Sequence, residues 1–221
     1  MASKDQESIE RRERTKKILL QKNIPYDEKI PLTENAKSVK DIDTRCKRAI
    51  ASLLVIQVAS SFYEGDRDSD NIEIIQRYLS MLDAEKSLLA LEKKMLEGKL
   101  PKEQLLSITW KYEAYWSLIW SLGLIDDISD ASKTCDFNTA ISIVRECLEY
   151  DEFKSKCKVR SDEEILDMKD FYLCYHKTIL ACEDEQAVRK LKLNPDVVRE
   201  RLRGLEWLFS KQKDWFEISL D

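Results

Sequence analysis

Four glycines in 221 residues constrain this chain more than any motif in it. That is about 2%, against roughly 7% in average proteins, and the four prolines are scarce in the same way. All-β architectures use turn glycines and prolines at every hairpin, so their scarcity predicts helices. It also leaves no material for a Gly-rich phosphate cradle. Neither GxGxxG nor GxxxxGK followed by Ser or Thr occurs, which excludes nucleotide binding through those loops.

A chain of this length can bury a sizeable core, as one domain or as two small ones. Hydrophobic residues at 43% and charged residues at 36% belong to a globular protein, not a disordered one. With 37 Lys+Arg against 42 Asp+Glu the net charge is -5, which argues against nucleic acid as a partner. The six cysteines (Cys46, Cys135, Cys147, Cys157, Cys174 and Cys182) include no CxxC. The opening Met1 to Glu7 is polar and has no apolar leader stretch. Reduced thiols in a cytoplasmic protein are therefore expected. The most apolar stretch, Ala49 to Tyr63, is too short for a bilayer span and is interrupted by Ser52, Gln57, Ser60 and Ser61. No membrane association is expected.

Periodicity and capping signals divide the chain into helices. The first runs from about Asp5 to Lys22, anchored by Ile9, Ile18, Leu19 and Leu20. Its cluster Arg11 to Lys17 reads as a solvated face laced with i,i+4 charge pairs. Pro25 and Pro31 keep residues 23–43 extended. A second helix, Asp43 to Tyr63, is apolar nearly all round and belongs inside. Asp66, Asp68 and Asp70 alternate like the start of a calcium loop, but the glycine and distal glutamate of that pattern are missing, so the stretch reads as a plain loop. Helices are expected over 71–80 and 83–97, with Gly98 as a left-handed stop and Pro101 restarting the chain. From Pro101 to Leu122, Trp110, Tyr112, Tyr115, Trp116 and Trp120 crowd one helix that Gly123 closes. Within it Glu113 projects from an aromatic face, where a carboxylate must be paired or protonated. Further on, Asp136 reads as an N-cap, Ser161 to Glu164 as a capping box opening a helix to about Cys182, and Asn194-Pro195 as the start of another. The expectation is an all-α, single compact domain over residues 1–221, with about eight to ten helices around a Trp-rich central one.

The block Trp110-Lys111-Tyr112-Glu113-Ala114-Tyr115-Trp116, followed by Leu122-Gly123-Leu124-Ile125, resembles the signature of a mainly bacterial family known only as domain of unknown function 4272. Cys135-Asp136, Arg160-Ser161, Asp170 with His176, Glu200-Arg201, Trp207-Leu208 and Asp214-Trp215 match it in order. The resemblance spans most of the chain. It implies a helical fold and a shared polar network, and no established activity. By that resemblance the family usually carries an arginine near Cys174, an aromatic at Lys177, a histidine where this sequence has Leu202 and an asparagine where it has Glu206. If the family works through a histidine pair, this member has lost half of it.

The candidate site is therefore Glu113, Arg160, Asp170, His176, Glu200 and Arg201, walled by Trp110, Trp116 and Trp207. Read as chemistry, His176 is a general base or acid oriented by Glu113 or Asp170, and an arginine binds an anionic group of the substrate. Read as architecture, the same residues are an ion-pair network that fixes helix packing. No metal site is expected, given one histidine, scattered cysteines and no HExxH, and no cofactor. Architecture is the better reading. The chain is then a cytosolic protein-interaction or accessory module, with a protein partner or a second copy of itself, rather than an enzyme. The alternative is a small-molecule hydrolase or transferase using His176, Glu113 and an arginine.

Overall fold

A computed structural model of the chain describes residues 4–66 and 69–220. The α-helices are α1 Lys4–Gln21, α2 Ile42–Glu64, α3 Ser69–Met81, α4 Ala90–Leu96, α5 Lys102–Thr109, α6 Lys111–Ser121, α7 Phe137–Arg145, α8 Tyr150–Ser155, α9 Asp162–Leu180, α10 Glu185–Lys190 and α11 Pro195–Phe209. Short 3-10 turns cover Glu85–Ser87 and Trp215–Glu217, and no strand occurs among the described residues. The all-α class is as the glycine count requires.

Side-chain caps begin several of these helices. Asp41 accepts from the Thr44 amide at 2.7 Å to start α2. Asp136 accepts from the Asn138 and Thr139 amides ahead of α7. Ser161 and Glu164 form the reciprocal box of α9, and Asn194 with Pro195 opens α11. Each such cap contributes about 1 kcal/mol. Gly98 and Gly123 adopt left-handed φ values of 73° and 72°.

Several boundaries differ from the sequence reading. The tryptophan-bearing segment is two helices, α5 and α6, meeting at Trp110. Thr109 there donates its hydroxyl to the Leu106 carbonyl, the local competition that weakens a helix interior at Ser and Thr. Residues 83–97 hold a left-handed Asp83, a 3-10 turn and the short α4. In the expected loop over 66–70, α3 already begins at Ser69, while Arg67 and Asp68 lie outside the described residues.

The chain divides into two compact units. The central unit comprises Lys40–Asp126 and Cys135–Val159. Its axis is α2, which packs against α3, α4, α5, α6, α7 and α8. The terminal unit comprises Met1–Val39, Asp127–Thr134 and Arg160–Asp221. Its axis is α9, flanked by α1 and α11.

Helix α1 overturns two expectations. Ser8, Arg11, Arg12, Thr15 and Leu19 are buried, whereas Ile9, Ile18 and Leu20 are exposed. The buried set follows the 3.6-residue period, so the face turned inward is a polar stripe with one leucine. The charged cluster is solvated only in part: Glu13, Arg14 and Lys17 face water, Arg11 and Arg12 do not. A guanidinium goes inward only when its donors meet acceptors, and here they do.

Candidate functional site

In the terminal unit the inward stripe of α1 meets the carboxylates of α9. Arg12 donates through Nε to both Asp170 oxygens, at 3.3 and 3.0 Å, and through Nη2 to Oδ1 at 2.7 Å. Its other donations go to the carbonyls of Ile30 at 2.8 Å and Pro31 at 2.6 Å. Arg12 is 3% exposed and Asp170 is not exposed at all. Burial pushes the Asp170 carboxyl up, but hydrogen bonds from Arg12, Thr15 and Thr33 and the charge of Arg12 outweigh it and hold it below the usual carboxylate range. Arg11, alongside, reaches the Thr33 carbonyl at 2.8 Å and Asp167 at 3.2 Å. The extended residues 30–33 thus run against α1 as a rail of acceptors.

Across α9, Arg201 of α11 holds the segment 127–134. Its Nη1 donates to the carbonyls of Ile128 at 2.9 Å and Asp130 at 2.7 Å and to the Tyr172 hydroxyl at 3.0 Å. Its Nη2 reaches the Lys133 carbonyl at 3.5 Å. Tyr172 in turn donates to the Ile128 carbonyl. Glu200 is buried between Arg199 and Arg203, with one contact of 3.3 Å to each. Trp207 donates its indole N–H to the Lys213 carbonyl at 3.0 Å and stands edge-on to Trp215. Arg160 is half-buried at the head of α9 and reaches Glu164 at 3.4 Å. His176 sits on the same helix, 8% exposed. Cys174, two residues earlier, has its thiol pushed up to about 12 by burial and by the charge of Asp170.

Glu113, Trp110 and Trp116 belong to the central unit. Glu113 is 1% exposed in the first turn of α6 and accepts the Cys135 amide N–H at 2.7 Å. The same unit holds a second buried pair that sequence reading missed. Arg48 of α2 contacts both oxygens of Glu92, at 2.7 and 2.8 Å, and Glu92 also accepts the Leu89 amide. Glu92 follows the run Leu88-Leu89-Ala90-Leu91, and a lone carboxylate beside an apolar run was the signal. For Arg12 the signal was the spacing Ser8, Arg11, Arg12, Thr15, a polar stripe at helical period.

One cavity of about 770 Å³ opens in the terminal unit. The loop Pro25 to Pro31, the end of α9 from Lys177, and α10 line it, and Lys29, Lys177, Lys190, Asp27, Glu183 and Asp184 are among the lining residues. His176 is not among its lining residues. Among the described residues, no group of three or more His, Cys, Asp or Glu side chains is placed to hold a metal ion.

A family model, the domain of unknown function DUF4272, matches residues 11–218. The chain belongs to the DUF4272 family. The match runs from Arg11 in the buried stripe of α1 to Ile218, whose carbonyl accepts from Arg203 at 2.5 Å. No curated protein and no solved structure matches this DUF4272 chain. Leu202 is buried in the core, and Glu206 pairs with Lys169 at 2.9 Å. No described helix of the DUF4272 chain is long and apolar enough to cross a membrane.

Proposed function

We propose that this DUF4272 protein is a cytosolic, non-catalytic helical module that binds another protein. The polar constellation is then its internal scaffold, and the cavity beside α10 its binding surface. The observation that carries this reading is the set of partners Arg201 already has. Three backbone carbonyls and one tyrosine hydroxyl surround a guanidinium that an anion-binding site would have to leave open. Asp170 is likewise enclosed by Arg12, and Glu200 by two arginines. A general base needs reach to a substrate proton, and the cavity lining takes in Lys177 and Thr178 but not His176. That weighs against hydrolase or transferase chemistry through His176 and Glu113. The six free thiols fit a reducing compartment.

The test uses the Ala187→Trp variant, which fills the cavity from α10 without touching the buried network. Affinity capture from the native cell should recover a defined protein with the parent chain, and at least about tenfold less of it with the variant. Equal recovery by the two forms removes the cavity from the proposal. No specific recovery, from a chain that sediments as a monomer, refutes the module itself.

A further inference from the structure

Two cysteines of the central unit stand side by side. Cys46 lies in the second turn of α2 and is fully buried, while Cys157 follows α8 and is half-buried. Their sulfurs are 3.7 Å apart. The same two elements are clamped next to them. Asp43, one turn before Cys46, accepts from the Tyr150 hydroxyl and pairs with Lys154 at 2.8 Å. The clamp joins the same two stretches of chain as the thiols, whose sulfurs would close from 3.7 Å to about 2.05 Å in a disulfide.

We propose that Cys46 and Cys157 form a reversible disulfide that staples the start of α2 to the end of α8 in response to a thiol oxidant. The oxidant enters at Cys157, the more exposed sulfur. The contact with Cys46 and the charge of Lys154 hold the Cys157 thiol below its usual range, which favours the thiolate that attacks. The Cys157 thiolate displaces one sulfur of a small-molecule disulfide such as oxidised glutathione, giving a mixed disulfide and one released thiolate. Cys46 gives its proton to that thiolate, attacks the Cys157 sulfur and expels the second thiol. Two protein thiols are oxidised and one external disulfide is reduced to two thiols, so atoms and electrons balance. The bond joins positions 111 residues apart, and long closed loops are the ones that restrict an unfolded chain most.

The full reduced chain is incubated with oxidised glutathione, alkylated, and read by intact mass and peptide mapping. The expected product is one cross-linked peptide joining Cys46 to Cys157, with Cys135, Cys147 and Cys174 alkylated only after unfolding. The melting temperature should rise by roughly 5–15 °C and fall back with dithiothreitol. In Cys157→Ser, Cys46 should stay reduced under the same oxidant. Three results overturn the proposal: Cys46 still alkylatable in the parent chain, a glutathione adduct that persists on Cys157, or Cys46 oxidised in the variant. A bond that forms without raising the melting temperature overturns the staple. The parent peptide map decides the question even if the variant fails to fold.

Discussion

Asp170→Asn removes one charge from an ion pair almost closed to water while keeping its shape. The parent carboxylate takes three contacts from two N–H groups of Arg12, the Nε–H being shared between its oxygens, in a site closed to water. Two unit charges about 4 Å apart interact by about 4 kcal/mol at an effective dielectric of about 20. Removing one member of such a pair leaves the other buried and uncompensated, at a cost of about 3–5 kcal/mol. Asparagine adds a conflict, because one of its two terminal atoms is an N–H2 that faces a guanidinium with no acceptor to offer. The expected loss is therefore at least about 3 kcal/mol, or roughly 6–20 °C in melting temperature for a chain of this size. Urea unfolding followed by far-ultraviolet circular dichroism gives the number, with the slope m as the check that the denatured state is unchanged. Arg12→Met with Asp170→Asn should cost less than the sum of the single changes, with a coupling of about 1–3 kcal/mol. A loss below about 1 kcal/mol for Asp170→Asn alone would refute the assignment of this pair as scaffold.

Acid should reach the same pair. The folded pKa of Asp170 lies below its unfolded value of about 3.9, so its contribution is complete above that value and disappears as pH falls through the folded one. Stability measured from pH 5 down to pH 2 should fall less steeply in Asp170→Asn than in the parent, and parallel curves would contradict this. Glu113→Gln should lose about 1–1.5 kcal/mol in urea, the difference between a bond from the Cys135 amide to a carboxylate and one to a neutral amide oxygen; an unchanged midpoint would count against a structural role. Gly123→Ala should cost more than Gly98→Ala, though both positions share nearly the same positive φ. A methyl at Gly123 would lie 2.1 Å from the Lys158 carbonyl oxygen, whereas nothing stands within 4 Å of one at Gly98. The second change carries only the left-handed penalty of about 1–2 kcal/mol, so equal losses would disprove the steric account.

Where α7, α9 and α11 begin was legible, because caps are local: Asp136, Ser161 with Glu164, and Asn194 with Pro195 act on amides two or three residues away. The burial of Glu113 was legible for the same reason, from the tryptophans at i−3 and i+3. The role of α1 was not. Ile9, Ile18 and Leu20 look like anchors on any hydropathy scale, yet the acceptors that draw Arg11 and Arg12 inward lie in residues 30–35 and on α9. No window along the chain contains both sides of that exchange. Arg48 and Glu92 are 44 positions apart, so although Glu92 stands out beside its apolar run, its pairing with Arg48 was equally out of reach. The partners of Arg201 are backbone carbonyls, which carry no residue identity and leave no mark in a sequence.

The composition of the terminal unit from three stretches of chain sets an order of assembly. Residues 40–126 and 135–159 can pack around α2 as they leave the ribosome, while α1 waits for Asp170 and the segment 127–134 waits for Arg201. At roughly 5–20 residues per second, Arg12 is synthesised about 8–30 s before its counter-charge. Throughout that interval the first helix carries an inward face with nothing to neutralise it. Chains arrested before residue 160 should therefore resist protease across residues 40–126 and 135–159 and be cut within the first 39 and within 127–134. Any truncation that removes α9 and α11 should leave the beginning of the protein, not only its end, without a fold.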